Sequence, residues 1–63
     1  MIIAGIVTFN PNIDRLKENI DSVHKQVDLV YVVDNGSNNS EMLENITSSY
    51  NNVSLKLLER NYG

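Results

Sequence analysis

The apolar positions of this chain fall into five segments whose spacing alternates between that of strands and that of helices. Apolar, largely β-branched residues make up 2–8 and 29–34, except for the final Asp34, as in strands buried on both faces. Within 12–25 and 40–50, apolar residues recur every three or four positions, as in amphipathic helices. Segment 53–58 alternates, which indicates a third, more exposed strand. The order β-α-β-α-β predicts an α/β fold with a parallel three-stranded sheet and right-handed crossovers.

Two strand orders are compatible with this pattern, and they differ in how the helices cover the sheet. In the order 3-2-1 both crossovers step the same way, so both helices lie on one face and the other face stays bare. An apolar face of that size indicates a missing partner surface. The order 2-1-3 would place one helix on each face, as in a self-contained small domain. We predict the order 3-2-1, with the bare face covered by the remainder of a larger domain or by self-association.

Composition excludes several classes of function. At 63 residues there is room for one domain at most, and the absence of cysteine excludes disulfides and thiolate metal sites. The net charge is -3, and the five basic residues are scattered, which argues against nucleic acid as a partner. No apolar run reaches the ~18 residues of a membrane span. Because the first residues lack a basic n-region, we expect no signal peptide and a cytoplasmic location.

Asp34 is the residue most indicative of function, because it ends a fully apolar strand and begins the polar turn Asp34-Asn35-Gly36. Ligands of open α/β sheets bind beyond the carboxyl ends of the strands. There a carboxylate can accept a ring N–H or a ribose hydroxyl, and Gly36 lets backbone approach closely. Two alternatives remain: an Asn-Gly hairpin, which the following Asn38-Asn39-Ser40-Glu41 disfavours, and a turn in which Asp34 bonds its own loop.

Thr8-Phe9-Asn10-Pro11 ends the first strand at the same sheet edge. The segment is either a helix cap with a core Phe9 or a source of donors, Thr8 and Asn10, for the same ligand. Asn10 and Asn12 are both suitable N-caps for the helix that follows. Tyr31 is expected to pack against a helix, and His24 to be structural or at the surface. No G-x-G-x-x-G or Gly-Lys-Ser/Thr motif occurs, so a glycine cradle for phosphate is unsupported.

Three motifs, taken in order, resemble the start of a family-2 glycosyltransferase with the GT-A (Rossmann-like) fold. They are Ile6-Val7-Thr8-Phe9-Asn10-Pro11, then Val30 to Ser37 with Val33-Asp34-Asn35-Gly36-Ser37, and finally Glu59-Arg60-Asn61-Tyr62-Gly63. The segment Leu16 to Ser22, between the first two motifs, is part of the same resemblance. The V-D-N-G-S variant looks most like the rhamnosyltransferase-type branch. The resemblance covers all 63 residues but only the N-terminal portion of the family's catalytic domain, before its metal-binding motif.

The resemblance implies a nucleotide-diphospho-sugar donor bound at the strand ends. Asp34 would then bind the base or ribose, and the segment Thr8-Phe9-Asn10 would line the same pocket. Asn61 and Gly63 look like the beginning of a loop near the nucleotide. The implied substrate-binding residues are Thr8, Phe9, Asn10, Asp34, Asn35, Gly36, Asn61 and Gly63.

The family's metal motif and catalytic base come later in such chains. We therefore expect these residues alone to bind no metal or other cofactor and to be inactive, whereas the full-length enzyme would use Mg²⁺ or Mn²⁺. It would build a polysaccharide or similar glycan, on a glycan or lipid-linked acceptor, either free in the cytoplasm or at the cytoplasmic face of the membrane. The alternative is a non-enzymatic regulatory module, receiver-like or flavodoxin-like. Such modules tend to collect several acids or a phosphate loop at the strand ends, whereas here only Asp34 is suitably placed.

Overall fold

All five predicted elements are present in the computed structural model, which describes residues 1–58. Each element begins and ends within two residues of the range predicted from the apolar pattern, so the α/β alternation is confirmed. The elements are β1 (Ile3–Thr8), α1 (Ile13–Val23), β2 (Leu29–Asp34), α2 (Ser40–Ser48) and β3 (Val53–Leu57). Neither helix is long and apolar enough to cross a membrane.

The three strands form a parallel sheet in the order β1-β2-β3, which is the predicted order 3-2-1 counted from the other edge. The alternative order 2-1-3 is therefore wrong. Thr8 pairs with Asp34 at the end of β1 and β2, and Asp34 pairs in turn with Leu57 of β3. The carboxyl ends of all three strands consequently meet at one edge of the sheet.

One face of the sheet carries the core. Val30 and Val32 of β2 are fully buried there against Leu16 and Ile20 of α1 and Leu43 of α2. Both helices thus pack on the same face, as the order of the strands requires. Burying a side chain of this size stabilises the fold by about 1.5–3 kcal/mol, so these few residues carry much of the stability.

The opposite face of β1 and β2, called here the open face, is covered by none of residues 1–58. Its side chains Ile3, Val7 and Tyr31 are 56%, 78% and 40% exposed. The expectation that Tyr31 packs against a helix is wrong. Its neighbours along the strand, Val30 and Val32, point to the helices, and alternation sends Tyr31 to the other side.

Asn12, rather than Asn10, caps α1. Its side-chain oxygen accepts a hydrogen bond from the Arg15 backbone N–H at 3.1 Å. Asn10 instead adopts a left-handed backbone conformation with φ 45°, which asparagine tolerates better than most residues. This leaves Asn10 in the loop after β1, where its side chain is free to contact the loop after β2.

Candidate functional site

The loops that follow β1 and β2 are joined to each other at the carboxyl edge of the sheet. The Asn35 N–H donates to the Thr8 carbonyl at 2.8 Å, which extends the pairing by one residue. The Asn10 N–H donates to the Ser37 hydroxyl at 2.6 Å, and the Asn38 N–H donates to the Asn10 side-chain oxygen at 2.8 Å. The two segments that the sequence singled out therefore lie side by side.

Asp34 lies between these loops, and its side chain is buried, with 1% of the residue exposed. The Thr8 hydroxyl donates to Oδ1 at 2.6 Å, and the Ser37 hydroxyl donates to the same oxygen. The Ser37 N–H donates to Oδ2 at 2.7 Å. Burial raises the pKa of Asp34, but hydrogen bonds from Ser37, Thr8 and the Gly36 backbone outweigh it and hold the pKa below its usual value. The carboxylate is therefore ionised at neutral pH.

These contacts bear on the three interpretations of the turn. The hairpin interpretation is wrong, because helix α2 follows the turn. The bond from the Ser37 N–H to Asp34 is the local turn bond of the third interpretation. A carboxylate has about four acceptor positions, and the two hydroxyls, the Ser37 N–H and the Gly36 backbone already bond to Asp34. A ligand donor can therefore bind Asp34 only by displacing one of these groups.

A shallow cavity of about 200 Å³ opens beside Asp34 at the strand ends. One side is polar, and the other is formed by Leu57, the last residue of β3, and by Leu58, which follows it. This volume is below the ~300–1,000 Å³ of pockets that enclose a drug-sized ligand, so the cavity is large enough for one ring system rather than for a whole nucleotide sugar. Its lining residues are Asp34, Gly36, Ser37, Asn38, Ser40, Leu57 and Leu58.

The predicted site residues are distributed unevenly around this cavity. Asp34 and Gly36 line it, whereas Thr8 is buried and contacts the carboxylate. Asn10 and Asn35 are exposed in the adjoining loops, and they hold the loops together through the hydrogen bonds above.

Phe9 is mostly exposed and does not line the cavity, so the alternative in which it belongs to the core is wrong. Asn61 and Gly63 lie outside the described residues.

Gly36 has φ 86°, a left-handed conformation that a residue with a Cβ adopts only with strain.

Two parts of the cavity lining were not predicted from the sequence: Ser37, and the apolar side formed by Leu57 and Leu58. Ser37 follows Asp34 by three residues, and this spacing could have identified it as the donor of a local turn. Leu57 ends a strand parallel to β2 and Leu58 follows it, so the topology alone would have placed them at the cavity edge. The apolar pattern of 53–58 gave no reason to separate these leucines from the core.

Within residues 1–58, no three carboxylate, histidine or cysteine side chains come together as a metal site would require.

Comparison with known proteins assigns no family. No family model, no curated protein and no solved structure matches the chain.

Proposed function

We propose that this chain is the nucleotide-binding N-terminal part of a glycosyltransferase with the GT-A fold. The enzyme would transfer a sugar from a nucleotide-diphospho-sugar donor to a glycan or lipid-linked acceptor in polysaccharide biosynthesis. The observation that carries the proposal is an ionised carboxylate, Asp34, in the wall of a cavity at the carboxyl ends of parallel strands. The ordered resemblance of the three motifs supports the same assignment.

The chemistry of the cavity suits the nucleoside end of such a donor. A planar base can lie against the apolar side formed by Leu57 and Leu58 and present a ring N–H, or the attached ribose a hydroxyl, to Asp34. Gly36 has no side chain to obstruct that approach. Because Asp34 is negative, the diphosphate would be repelled from it and would lie farther from the carboxylate. The site therefore orients the donor from its base.

The ligand can bond to Asp34 only if the Ser37 hydroxyl moves away from it. The Ser37 hydroxyl occupies Oδ1 of Asp34 together with that of Thr8, and Ser37 lines the cavity whereas Thr8 is buried. A donor group of the ligand would displace the Ser37 hydroxyl, while the Ser37 N–H keeps Oδ2 in place. Removal of this hydroxyl should consequently leave nucleotide affinity unchanged or raise it by up to about a hundredfold, since a bond to a charged group is worth roughly 1.5–3 kcal/mol.

The rest of the reaction requires groups from elsewhere in the full-length enzyme. A general base would deprotonate the acceptor hydroxyl, and a divalent cation would stabilise the departing diphosphate. We propose that residues 1–63 alone have no transferase activity and that the complete enzyme acts in the cytoplasm or at the cytoplasmic face of the membrane. The strand order is not the 2-1-3 order that would have favoured the regulatory-module alternative.

The test is a titration of the isotope-labelled chain with uridine and thymidine diphosphates, followed by amide chemical shifts. Shifts are expected at 34–38 and at Leu57 and Leu58, and inorganic diphosphate alone should not cause them. Asp34→Asn should weaken binding at least about tenfold, consistent with loss of a charge-assisted bond. Asp28→Asn is the matched control, because Asp28 precedes β2 at the opposite end of the sheet. If the shifts avoid 8–10 and 34–38 at saturating nucleotide, the proposal is wrong.

A further inference from the structure

The open face of β1 and β2 is apolar along its whole length. Exposed Ile3, Val7 and Tyr31 alternate with half-buried Leu29 and Val33, and none of these side chains is charged. The open face lies opposite to the one that carries Asp34, since Asp34 shares the buried face with Val30 and Val32. A second copy bound to the open face would therefore lie on the other side of the sheet from the Asp34 side chain.

Gly5 leaves a gap in the middle of this face. A Cβ built on Gly5 would meet no atom within 4 Å, and its φ is not in the left-handed region. The described fold therefore does not require a glycine here, although glycine inside a strand weakens it. Such a glycine often marks a bulge, a tight bend, or a site where a ligand or another backbone approaches closely, and the register of β1 and β2 is unbroken at Gly5.

Tyr31, the largest side chain of the open face, lies next to this gap. Gly5 and Tyr31 are register partners in the parallel β1–β2 pair, so the gap and the ring lie side by side at one level. A twofold axis parallel to the strands and midway between them would place each Tyr31 over the Gly5 of the other copy. A twofold axis perpendicular to the strands would instead place Gly5 over Gly5 and Tyr31 over Tyr31. The two glycines would then leave an unfilled cavity, and the two tyrosine rings beside them would clash.

We propose that two copies of this chain pair through their open faces about the twofold axis parallel to β1 and β2, with each Tyr31 ring seated on the partner copy's Gly5. The paired sheets would be aligned, as in sandwiches of two sheets. Lys56, the charged residue of this face on β3, would lie beyond β1 of the other copy, so the two lysines stay apart. The surface is thus self-complementary in shape and free of repulsion.

The size of the surface predicts a weak dimer. The five apolar side chains offer on the order of 500 Å² per copy, with the tyrosine contributing the most, against about 800 Å² per partner in a stable interface. Interfaces below ~1,200 Å² in total belong to weak, reversible complexes. We therefore expect a dissociation constant between about 10 μM and 1 mM.

Sedimentation equilibrium of the chain and of two variants tests the pairing. The chain should shift from monomer to dimer over that concentration range. Gly5→Val should weaken dimerisation at least about tenfold, because it fills the gap that receives Tyr31. Ser54→Val is the matched control, since Ser54 lies on the same face but on β3, outside the paired strands, and it should dimerise like the parent.

The two variants separate specific pairing from general stickiness. Both add the same apolar side chain to the same face, so non-specific association would increase in both. Gly5→Val should also fold at least as well as the parent, because valine favours strands and its Cβ meets no neighbour. A circular dichroism melt checks this.

Isotope-filtered NMR on a mixture of labelled and unlabelled chains tests the axis. Contacts between the Tyr31 ring of one copy and Gly5 of the other are expected. A chain that stays monomeric to about 1 mM, a Gly5→Val variant that associates as strongly as the parent, or contacts that join Gly5 to Gly5 would each overturn the proposal. The first result would favour the remainder of a larger domain, rather than a second copy, as the cover of the open face.

Discussion

Replacing Thr8 by valine removes the hydroxyl that donates to Asp34 while keeping nearly the same shape. The bond is 2.6 Å long and both residues are buried, so water cannot take the place of the lost donor without entering the sheet end. A hydrogen bond to a charged group contributes roughly 1.5–3 kcal/mol. Because the Ser37 donors remain, we expect a loss of about 2 kcal/mol in the free energy of unfolding, or roughly 8–16 °C in Tm for a domain of this size.

Thr47→Val provides the matched control for this measurement. Thr47 is also buried, but its hydroxyl donates to the backbone carbonyl of Leu43 at 2.9 Å, a neutral acceptor within α2. The loss of such a bond should cost about 1 kcal/mol or less. Urea and thermal unfolding at neutral pH, followed by circular dichroism, give both values.

The dependence of this loss on pH identifies the charge as its cause. The pKa of Asp34 in the folded state lies below its ordinary value of 3.8, so its contribution is complete above that value and disappears as the pH falls through the folded-state pKa. The difference between the parent and Thr8→Val should therefore shrink as the pH falls below 3.8, whereas that of Thr47→Val should not. The reasoning is refuted if Thr8→Val costs no more than Thr47→Val, or if its cost does not decrease as the pH falls.

Three further predictions concern the core, a helix cap and a surface tyrosine. Leu43→Ala should cost about 2–5 kcal/mol in urea unfolding, whereas Met42→Ala on the exposed side should cost little; equal costs would contradict the assigned core. Asn12→Ala should cost about 1 kcal/mol and lower the helix content seen by circular dichroism; an unchanged melt would argue against the cap. The Tyr50 hydroxyl donates to Asp21, which raises the Tyr50 pKa to about 12. Its contribution to stability should be present below about pH 10 and be lost as the pH rises through the folded-state value. Asp21→Asn should return the ultraviolet titration of Tyr50 towards the ordinary value, and no change would rule out this bond.

The apolar pattern was enough to predict the elements of the fold. The short continuous runs 2–8 and 29–34 and the alternating segment 53–58 are typical of strands, and the spacing of three or four in 12–25 and 40–50 is typical of helices. The side of the sheet on which the helices lie was predictable from the crossover rule once the strand order was chosen. The placement of Tyr31 was not predicted correctly, because a strand that is apolar on both faces gives no indication of which face the helices cover. Topology decides that, and it sends Tyr31 to the open face.

The position of Asp34 at the strand end was also predictable, but its surroundings were not. The contact with Thr8 depends on the register of β1 and β2, which joins residues 26 positions apart and leaves no mark in the local pattern. The occupation of the carboxylate by Ser37 depends on the shape of the turn after Gly36. The ligand assigned to this site remains a proposal.

The parallel pairing of the strands also determines how the chain must fold. No two paired strands are neighbours through a tight turn, because a helix separates β1 from β2 and another separates β2 from β3. The first hydrogen bond between two strands can form only after a loop of more than twenty residues has closed. The chain therefore loses the conformational entropy of loop closure before any contact between strands compensates for it. We expect a slow, concerted folding reaction whose transition state already contains one helix docked on two strands.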